Sequence, residues 1–236
     1  MRKYLLMLAL SAFVAITVSA QDSKDKPKIE GSGNVITKDI AVTSFDQLNV
    51  QGVFSVLLTQ GDKEGVKIEA DDNLQSLFEV KNEGSTLSVV MKENVNFNRK
   101  KKMKVYITFK KLKSMNLKTV GDITSASNMN FDDLKISNKS VGEIDLKMTA
   151  KTLDLDNKSV GKITFNGKAD NAVIRNKGVG QMNAGDFVVQ TMDIENTGVG
   201  SAEVNAAKEL KIKDNLLGKV TNKGSATPKR LAKASI

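Results

Sequence analysis

The sequence predicts an all-β protein, a β-helix (solenoid) of parallel strands wound in coils of about 20 residues. Three observations support this fold class. A glycine recurs at a nearly constant spacing through the second half of the chain. Apolar and polar residues alternate on both sides of that glycine, and no window shows a helical period of useful length. Because one copy cannot bury its own apolar face, the copies are expected to stack.

The recurring glycine follows a valine or leucine in six copies, which are separated by 21, 19, 19, 20 and 18 residues. The six positions are Gly121, Gly142, Gly161, Gly180, Gly200 and Gly218. Six residues before each glycine stands Met, Ile or Leu, and two residues after it stands Ile, Met, Ala or Val. The period is too short for a pair of helices or a propeller blade, and the register of leucine-rich repeats is missing, so a β-helix coil remains.

An asparagine stands four residues before the glycine in four copies, at Asn138, Asn157, Asn176 and Asn196. In stacked copies these side chains would lie about 4.8 Å apart, so each amide can donate to the next amide carbonyl. Asp214 follows in the last copy and fits the end of such a ladder, because an ionised carboxylate accepts but does not donate. The aligned glycines indicate either positive φ or close passage of an adjacent coil, and both explanations stay open.

The chain divides into five segments. They are a secretory signal peptide (1–20), a flexible lead-in (21–30), an N-terminal β-rich module (31–112), C-terminal β-helix repeats (113–222) and a basic tail (223–236). The signal peptide has a basic start, an apolar run and small residues before the expected cleavage after Ala20. It predicts export to the periplasm, the outer surface or the medium. We expect no transmembrane span in the mature chain, because no other stretch is long and apolar enough.

Composition excludes several chemistries. The chain has no histidine and no cysteine, which removes the commonest general base, the usual nucleophile arrangements, the usual zinc ligands and all disulfides. We therefore expect no catalytic, cofactor-binding or metal-binding residues. The net charge of +9 favours an anionic partner, such as a polysaccharide or another component of an envelope or host surface. An exported chain is not expected to bind nucleic acid, and the oligomeric state stays open.

Two groups of basic residues are candidates for binding anions or glycans. The first is the cluster of Arg99, Lys100, Lys101, Lys102 and Lys104, and the second is the row of Lys139, Lys158 and Lys177. The simpler interpretation of the cluster is a charged loop that keeps a strand edge soluble. The row occupies equal positions of successive copies, where stacked like charges oppose each other, and that cost slightly favours a function for it.

Several motifs in combination resemble a known envelope family. They are Gly-Ser-Gly-Asn at 31–34, the blocks 45–52, 58–62 and 66–74, the strand at 104–109 and the glycine-centred repeats. Over about residues 30–220 the chain resembles the domain of unknown function described as a putative auto-transporter adhesin, head GIN domain. The resemblance implies a right-handed parallel β-helix, no established catalytic residues and a suggested role in adhesion. Turns that often carry glycine and serine in the family carry lysine here.

Two functions from different classes remain. The first is an exported, non-catalytic β-helix protein of the cell envelope that acts in adhesion, polymer binding or scaffolding. The alternative is a polysaccharide-active enzyme, a lyase or glycosidase, which needs two carboxyl groups about 5–10 Å apart. The position after the glycine reads Asp122, Glu143, Lys162, Gln181, Ser201 and Lys219. Only the first two residues of this row are acidic, and no third acid stands with them. The row therefore favours the first function. A left-handed β-helix acyltransferase is excluded, because the period is not six and histidine is absent.

Overall fold

The computed structural model describes residues 28–231 and is 65% strand and 3% helix, so the all-β prediction is confirmed. The predicted signal peptide, residues 1–20, lies outside the described residues. Within 28–231 no helix has the length and apolarity needed to cross a bilayer. One 3₁₀ helix, Asp72–Leu77, accompanies the strands.

In chain order the strands are β1 (Ile29–Glu30), β2 (Val35–Ile40), β3 (Gln47–Gly52), β4 (Ser55–Gln60), β5 (Gly65–Asp71), β6 (Phe78–Glu83), β7 (Thr86–Met91), β8 (Phe97–Asn98), β9 (Lys104–Phe109), β10 (Ser114–Thr119), β11 (Ile123–Ser125), β12 (Met129–Asn138), β13 (Ile144–Asn157), β14 (Ile163–Asn176), β15 (Met182–Asn196), β16 (Ala202–Asp214), β17 (Val220–Asn222) and β18 (Pro228–Arg230).

The strands of the second half stack as a parallel solenoid. β13 pairs in parallel with β12 and β14, and β15 pairs in parallel with β14 and β16. Their register sets Asn138 beside Asn157, then Asn176, then Asn196. The structure thus has about 6 turns with coils of about 20 residues, and the predicted β-helix is confirmed.

Chain order and spatial order differ in the first half. β3 and β4 form one coil, with β10 and β11 paired in parallel on one side and β7 and β9 on the other. The chain therefore leaves the β3–β4 coil, builds an outer coil and returns to the opposite side. Residues 31–112 and 113–222 share one continuous sheet as a result.

Antiparallel strands and short parallel strands close the two ends of the stack. At the N-terminal end, β5 pairs antiparallel with β9, β2 pairs with β5, and β6 pairs with β7. At the other end, β17 and β18 both pair with β16. Pro228 lies in β18, at the edge of the sheet, where its missing N–H removes no ladder hydrogen bond. Part of the predicted basic tail is therefore paired with the solenoid.

The core is a column of apolar side chains inside the coils. Alternation turns every second residue inward, so that in-register residues of successive coils lie on top of one another. One such row is Ile136, Leu155, Ile174, Ile194 and Ile212, each at most 1% exposed. Burial of each such side chain contributes roughly 1.5–3 kcal/mol and offsets the entropy lost on ordering the chain. Because the chain has no cysteine, packing of this core stabilises the fold without disulfides.

Both explanations for the aligned glycines hold. Five of them have φ between +126° and +151°, a backbone conformation in which any residue other than glycine is strained. In addition, a Cβ added to Gly142 would lie only 2.7 Å from the carbonyl oxygen of Gly121 in the coil below, and Gly161 is still closer to Gly142. Gly218, the sixth aligned glycine, does not have a positive φ. A Cβ added to it would nevertheless lie 2.5 Å from the carbonyl oxygen of Asn196.

Gly161→Val is expected to lower the free energy of unfolding by at least about 3 kcal/mol, because it combines backbone strain with a clash against the next coil. Thermal and urea unfolding followed by circular dichroism measure the effect. Gly65→Ala is the matched control, since Gly65 lacks positive φ and has open space around its Cβ position. An unchanged melting temperature for Gly161→Val would contradict the stacking contact.

Candidate functional site

A buried asparagine ladder runs along one edge of the solenoid. Asn138, Asn157 and Asn176 each donate from Nδ2 to Oδ1 of the next asparagine, at 2.7 Å in every case. The four asparagines are at most 4% exposed. The last member, Asn196, donates to the carbonyl oxygen of Gly218 at 2.7 Å. A backbone carbonyl therefore terminates the series.

Asp214, suggested as the terminal acceptor, has other contacts. Its Oδ2 accepts from Arg230 at 2.5 Å and from the backbone N–H of Val220 at 3.2 Å. The carboxylate thus connects the last coil with the strands that cover it.

The ladder also shapes the adjacent corner of each coil. Oδ1 of Asn138 accepts from the backbone N–H of Ser140 at 3.1 Å, and Oδ1 of Asn176 accepts from that of Gly178 at 3.3 Å. Hydrogen bonds from an asparagine to the second following residue stabilise turns. The ladder therefore positions the residues between itself and the aligned glycine.

Two exposed rows lie at this corner, and we name them together the Lys–Val ridge. The lysine row is Lys118, Lys139, Lys158 and Lys177, and the valine row is Val120, Val141, Val160, Val179 and Val199. All four lysines are exposed, and the valines are 47–50% exposed. Parallel bridges connect each valine to the next. The residue between the rows points inward, as Ser140 does at 1% exposure, so both rows face solvent.

Lys118 and the exposed valines of this ridge were not predicted from the sequence. Lys118 stands three residues before Gly121, as Lys139 does before Gly142, so the same spacing was available to find it. The valines were recognised only as partners of the glycines. Four of the valines stand three positions after a buried asparagine, as Val141 does after Asn138, and strand alternation would place residues three apart on opposite faces. The intervening corner hid that exposure.

The first basic cluster lies at the N-terminal end of the stack, where several of its members have structural contacts. Arg99 donates from Nη1 to the carbonyl oxygen of Val53 at 3.2 Å, and Lys100 donates to that of Ser32 at 3.4 Å. Lys101 and Lys102 are exposed. These contacts hold the loop in place and leave the outward-facing charge mainly to Lys101 and Lys102.

Residues 52 and 53 connect the cluster with one end of the ridge. Val120 donates its N–H to the carbonyl oxygen of Gly52 at 2.8 Å, and Arg99 contacts Val53, the next residue along. The structure thus brings the Arg99 loop beside the first coil of the ridge.

Lys104 is part of an intramolecular charge network. Its Nζ lies 3.0 Å from Oε1 of Glu69, and the Tyr106 hydroxyl donates to Oε2 of Glu69 at 2.7 Å. The hydrogen bonds from Tyr106 and Lys104 lower the pKa of Glu69, and the hydrogen bond and charge of Glu69 raise the pKa of Lys104. Lys104 is therefore engaged with its own chain.

A cleft of about 660 Å³ lies between residues 110–113 and 130–135 on another part of the surface. Three acids line it. Asp132 pairs with Lys151 at 2.6 Å, Asp133 accepts from Thr152 at 2.5 Å, and Asp154 pairs with Arg175. The hydrogen bond from Lys151 lowers the pKa of Asp132.

A glycosidase needs one carboxyl group whose pKa is raised, so that it stays protonated as a general acid. The acids of the cleft are instead engaged with cations or a hydroxyl, which is typical of a surface charge network. Across residues 28–231, no three acidic side chains are grouped to hold a metal ion.

The solenoid defines a β-helix protein. The chain belongs to the family described as putative auto-transporter adhesin, head GIN domain, whose model matches residues 44–226. The resemblance inferred from the sequence motifs is therefore confirmed.

Several solved structures are similar to this chain. A putative adhesin from Bacteroides fragilis NCTC 9343 is 28% identical, with 86% of this chain and 100% of that chain covered and a TM-score of 0.74. A putative lipid binding protein from Parabacteroides distasonis ATCC 8503 is 19% identical, with 87% and 100% covered and a TM-score of 0.60. A putative adhesin from Parabacteroides merdae ATCC 43184 is 20% identical, with 87% and 99% covered and a TM-score of 0.53. The last two share the fold. Comparison with curated proteins finds no match.

Asn157→Ala is expected to lower the free energy of unfolding by about 2–5 kcal/mol, because it leaves the donor of Asn138 and the acceptor of Asn176 buried without their partner. Urea unfolding measures the loss. Asn171→Ala is the control, since Asn171 is exposed on the adjoining strand β14 and its replacement should change stability by less than about 0.5 kcal/mol. Equal effects for the two substitutions would show that the ladder does not stabilise the fold.

The Glu69 network predicts a pH dependence. Because the pKa of Glu69 is lowered in the folded state, its stabilising effect is present above the ordinary value of 4.5 and is lost as pH falls through the folded value. The melting temperature of the wild type should therefore exceed that of Glu69→Gln at pH 7, and the gap should narrow toward pH 3. Glu209→Gln removes an exposed carboxylate and controls for lost charge. A gap that widens on acidification would refute the network.

Proposed function

We propose that this protein is an exported, non-catalytic β-helix protein of the cell envelope that binds anionic components of an envelope or host surface through the Lys–Val ridge. Polysaccharide is one such component. Binding of this kind serves adhesion or scaffolding, in keeping with the family to which the chain belongs. The proposed export rests on the signal-peptide pattern of residues 1–20.

The observation that carries the proposal is the repetition of an exposed lysine at one position of four consecutive coils. Strand spacing sets these positions about 4.8 Å apart, close enough for the charges to repel each other. Lys158 has a carboxylate within reach, Asp156 at 3.9 Å, which is a long contact. An anionic partner that spans several coils would relieve the repulsion along the whole row at once.

The non-catalytic part of the proposal is supported by the cleft acids, each of which is engaged with a cation or a hydroxyl of this chain. A β-helix enzyme acting on a polymer would be expected to use a concave site lined by acids, as this cleft is. Turnover of a polymer therefore provides a direct test against the alternative.

Replacement of three ridge lysines, as Lys139→Gln, Lys158→Gln and Lys177→Gln together, should weaken binding to anionic polymers about tenfold or more. Residues 21–236 are applied to an array of glycans and envelope polymers at low and high salt, with a product assay on the same polymers. Binding should fall with salt, because salt screens exposed charges.

The control removes the same charge elsewhere, at the exposed residues Lys168, Lys208 and Lys211. Equal loss in both triple variants would mean that net charge and not the ridge binds the polymer. Formation of cleavage products would support the enzyme class instead.

A further inference from the structure

The ridge has a feature that anion binding alone does not explain. We infer that the Lys–Val ridge seats the protein on an anionic lipid surface, with the lysines at the headgroups and the valines at the apolar boundary. This inference rests on the proposed function, because it names the chemical class of the anionic surface component. The evidence for that class is the row of valines, because aliphatic side chains do not bind a charged group.

The valines form a continuous apolar strip. Four coil spacings separate Val120 from Val199, so the strip is about 19 Å long. A strand bridge favours a β-branched residue, but threonine would satisfy that preference and interact with water as well. Five aliphatic side chains in a row, each about half exposed, instead make a contiguous apolar surface of the kind that marks an interaction site.

Two leucines extend the strip at its C-terminal end. Leu217 precedes Gly218 as the valines precede the other glycines, and its carbonyl oxygen accepts from the N–H of Gly200 at 2.8 Å. The carbonyl of Val199 accepts from Gly180 in the same way. Leu217 is 64% exposed and its neighbour Leu216 is 82% exposed, the largest fraction among the bulky apolar side chains of residues 28–231. The strip is therefore most apolar at this end.

Charge along the ridge also changes from one end to the other. The lysine row runs beside the valines, and on their other side the residue after each glycine is acidic in the first two coils, at Asp122 and Glu143. In later coils this position is basic or neutral, and it carries Lys162, Gln181, Ser201 and Lys219. The C-terminal part thus combines the exposed leucines with Lys219 and with no acidic residue at this position, and we expect it to lie deepest against the lipid.

A lipid surface fits this arrangement better than a polymer does. Lysine side chains extend their charged ends to anionic headgroups while apolar neighbours enter the boundary region below. The valines of successive coils are bridged to one another and exposed, so one surface can contact several of them together. An anionic polymer would satisfy the lysines and leave the valines in water. The two rows together therefore indicate the lipid.

The test is sedimentation of residues 21–236 with vesicles of phosphatidylcholine alone or mixed with phosphatidylglycerol. Binding is expected only to the mixed vesicles. The combined variant Val141→Thr, Val160→Thr and Val179→Thr keeps β-branching and every lysine, and should bind them about tenfold more weakly. The control, Val173→Thr with Val188→Thr, changes exposed valines of β14 and β15 and should bind as the wild type does. Melting curves confirm that each variant is folded.

Each outcome separates this inference from the proposed function. Loss of vesicle binding in the ridge valine variant, with polymer binding retained, supports lipid seating. Unchanged vesicle binding in that variant overturns it and leaves a lysine-only anion site intact. If the wild type binds an anionic polymer but not the mixed vesicles, the lipid inference is also overturned and the proposed function stands. Binding to neither overturns both proposals.

Discussion

The contact on which the structure depends is the stacking of one aligned glycine on the carbonyl of the glycine below. No side chain fits between these coils, as the 2.7 Å approach of an added Gly142 Cβ to Gly121 shows. The corner is therefore constant while the rest of the coil varies. Register shifts occur in the strands that follow the corner, between Thr164 and Asn166 and between Asn183 and Val188. Coils of different length can then share one corner geometry.

Because the corner has the same geometry in each coil, a residue type that recurs at one of its positions forms a row along the solenoid. The asparagine ladder satisfies the polar groups inside, where an unpartnered amide would be costly. The same register repeats the outward residues at the strand spacing, so that lysine and valine become two parallel rows. The ridge therefore consists of the same few side chains repeated from coil to coil, so that its proposed binding would rest on many small contributions and not on one strong contact.

Repeats made the fold and part of the site predictable. The glycine period indicated stacking, and the asparagine and lysine spacings placed their residues in rows. The N-terminal order could not be derived in this way, because β3, β7 and β10 carry similar alternation and pair in parallel regardless of chain order. The contacts of Arg99 and Lys104 were equally hidden, since their partners Val53 and Glu69 are remote in sequence and no local pattern identifies them.

By itself, the sequence determined the β-solenoid, the coil length, the buried asparagines and the absence of histidine and cysteine chemistry, because these follow from composition and from periodicity within one chain. Tertiary structure decided which side chains form a continuous exposed surface. It placed the valines outward, set Arg99 against the carbonyl of Val53 and engaged Lys104 with Glu69. Those outcomes depend on which distant segments meet at the corners, and such meetings are set by packing of the whole stack and not by any local spacing.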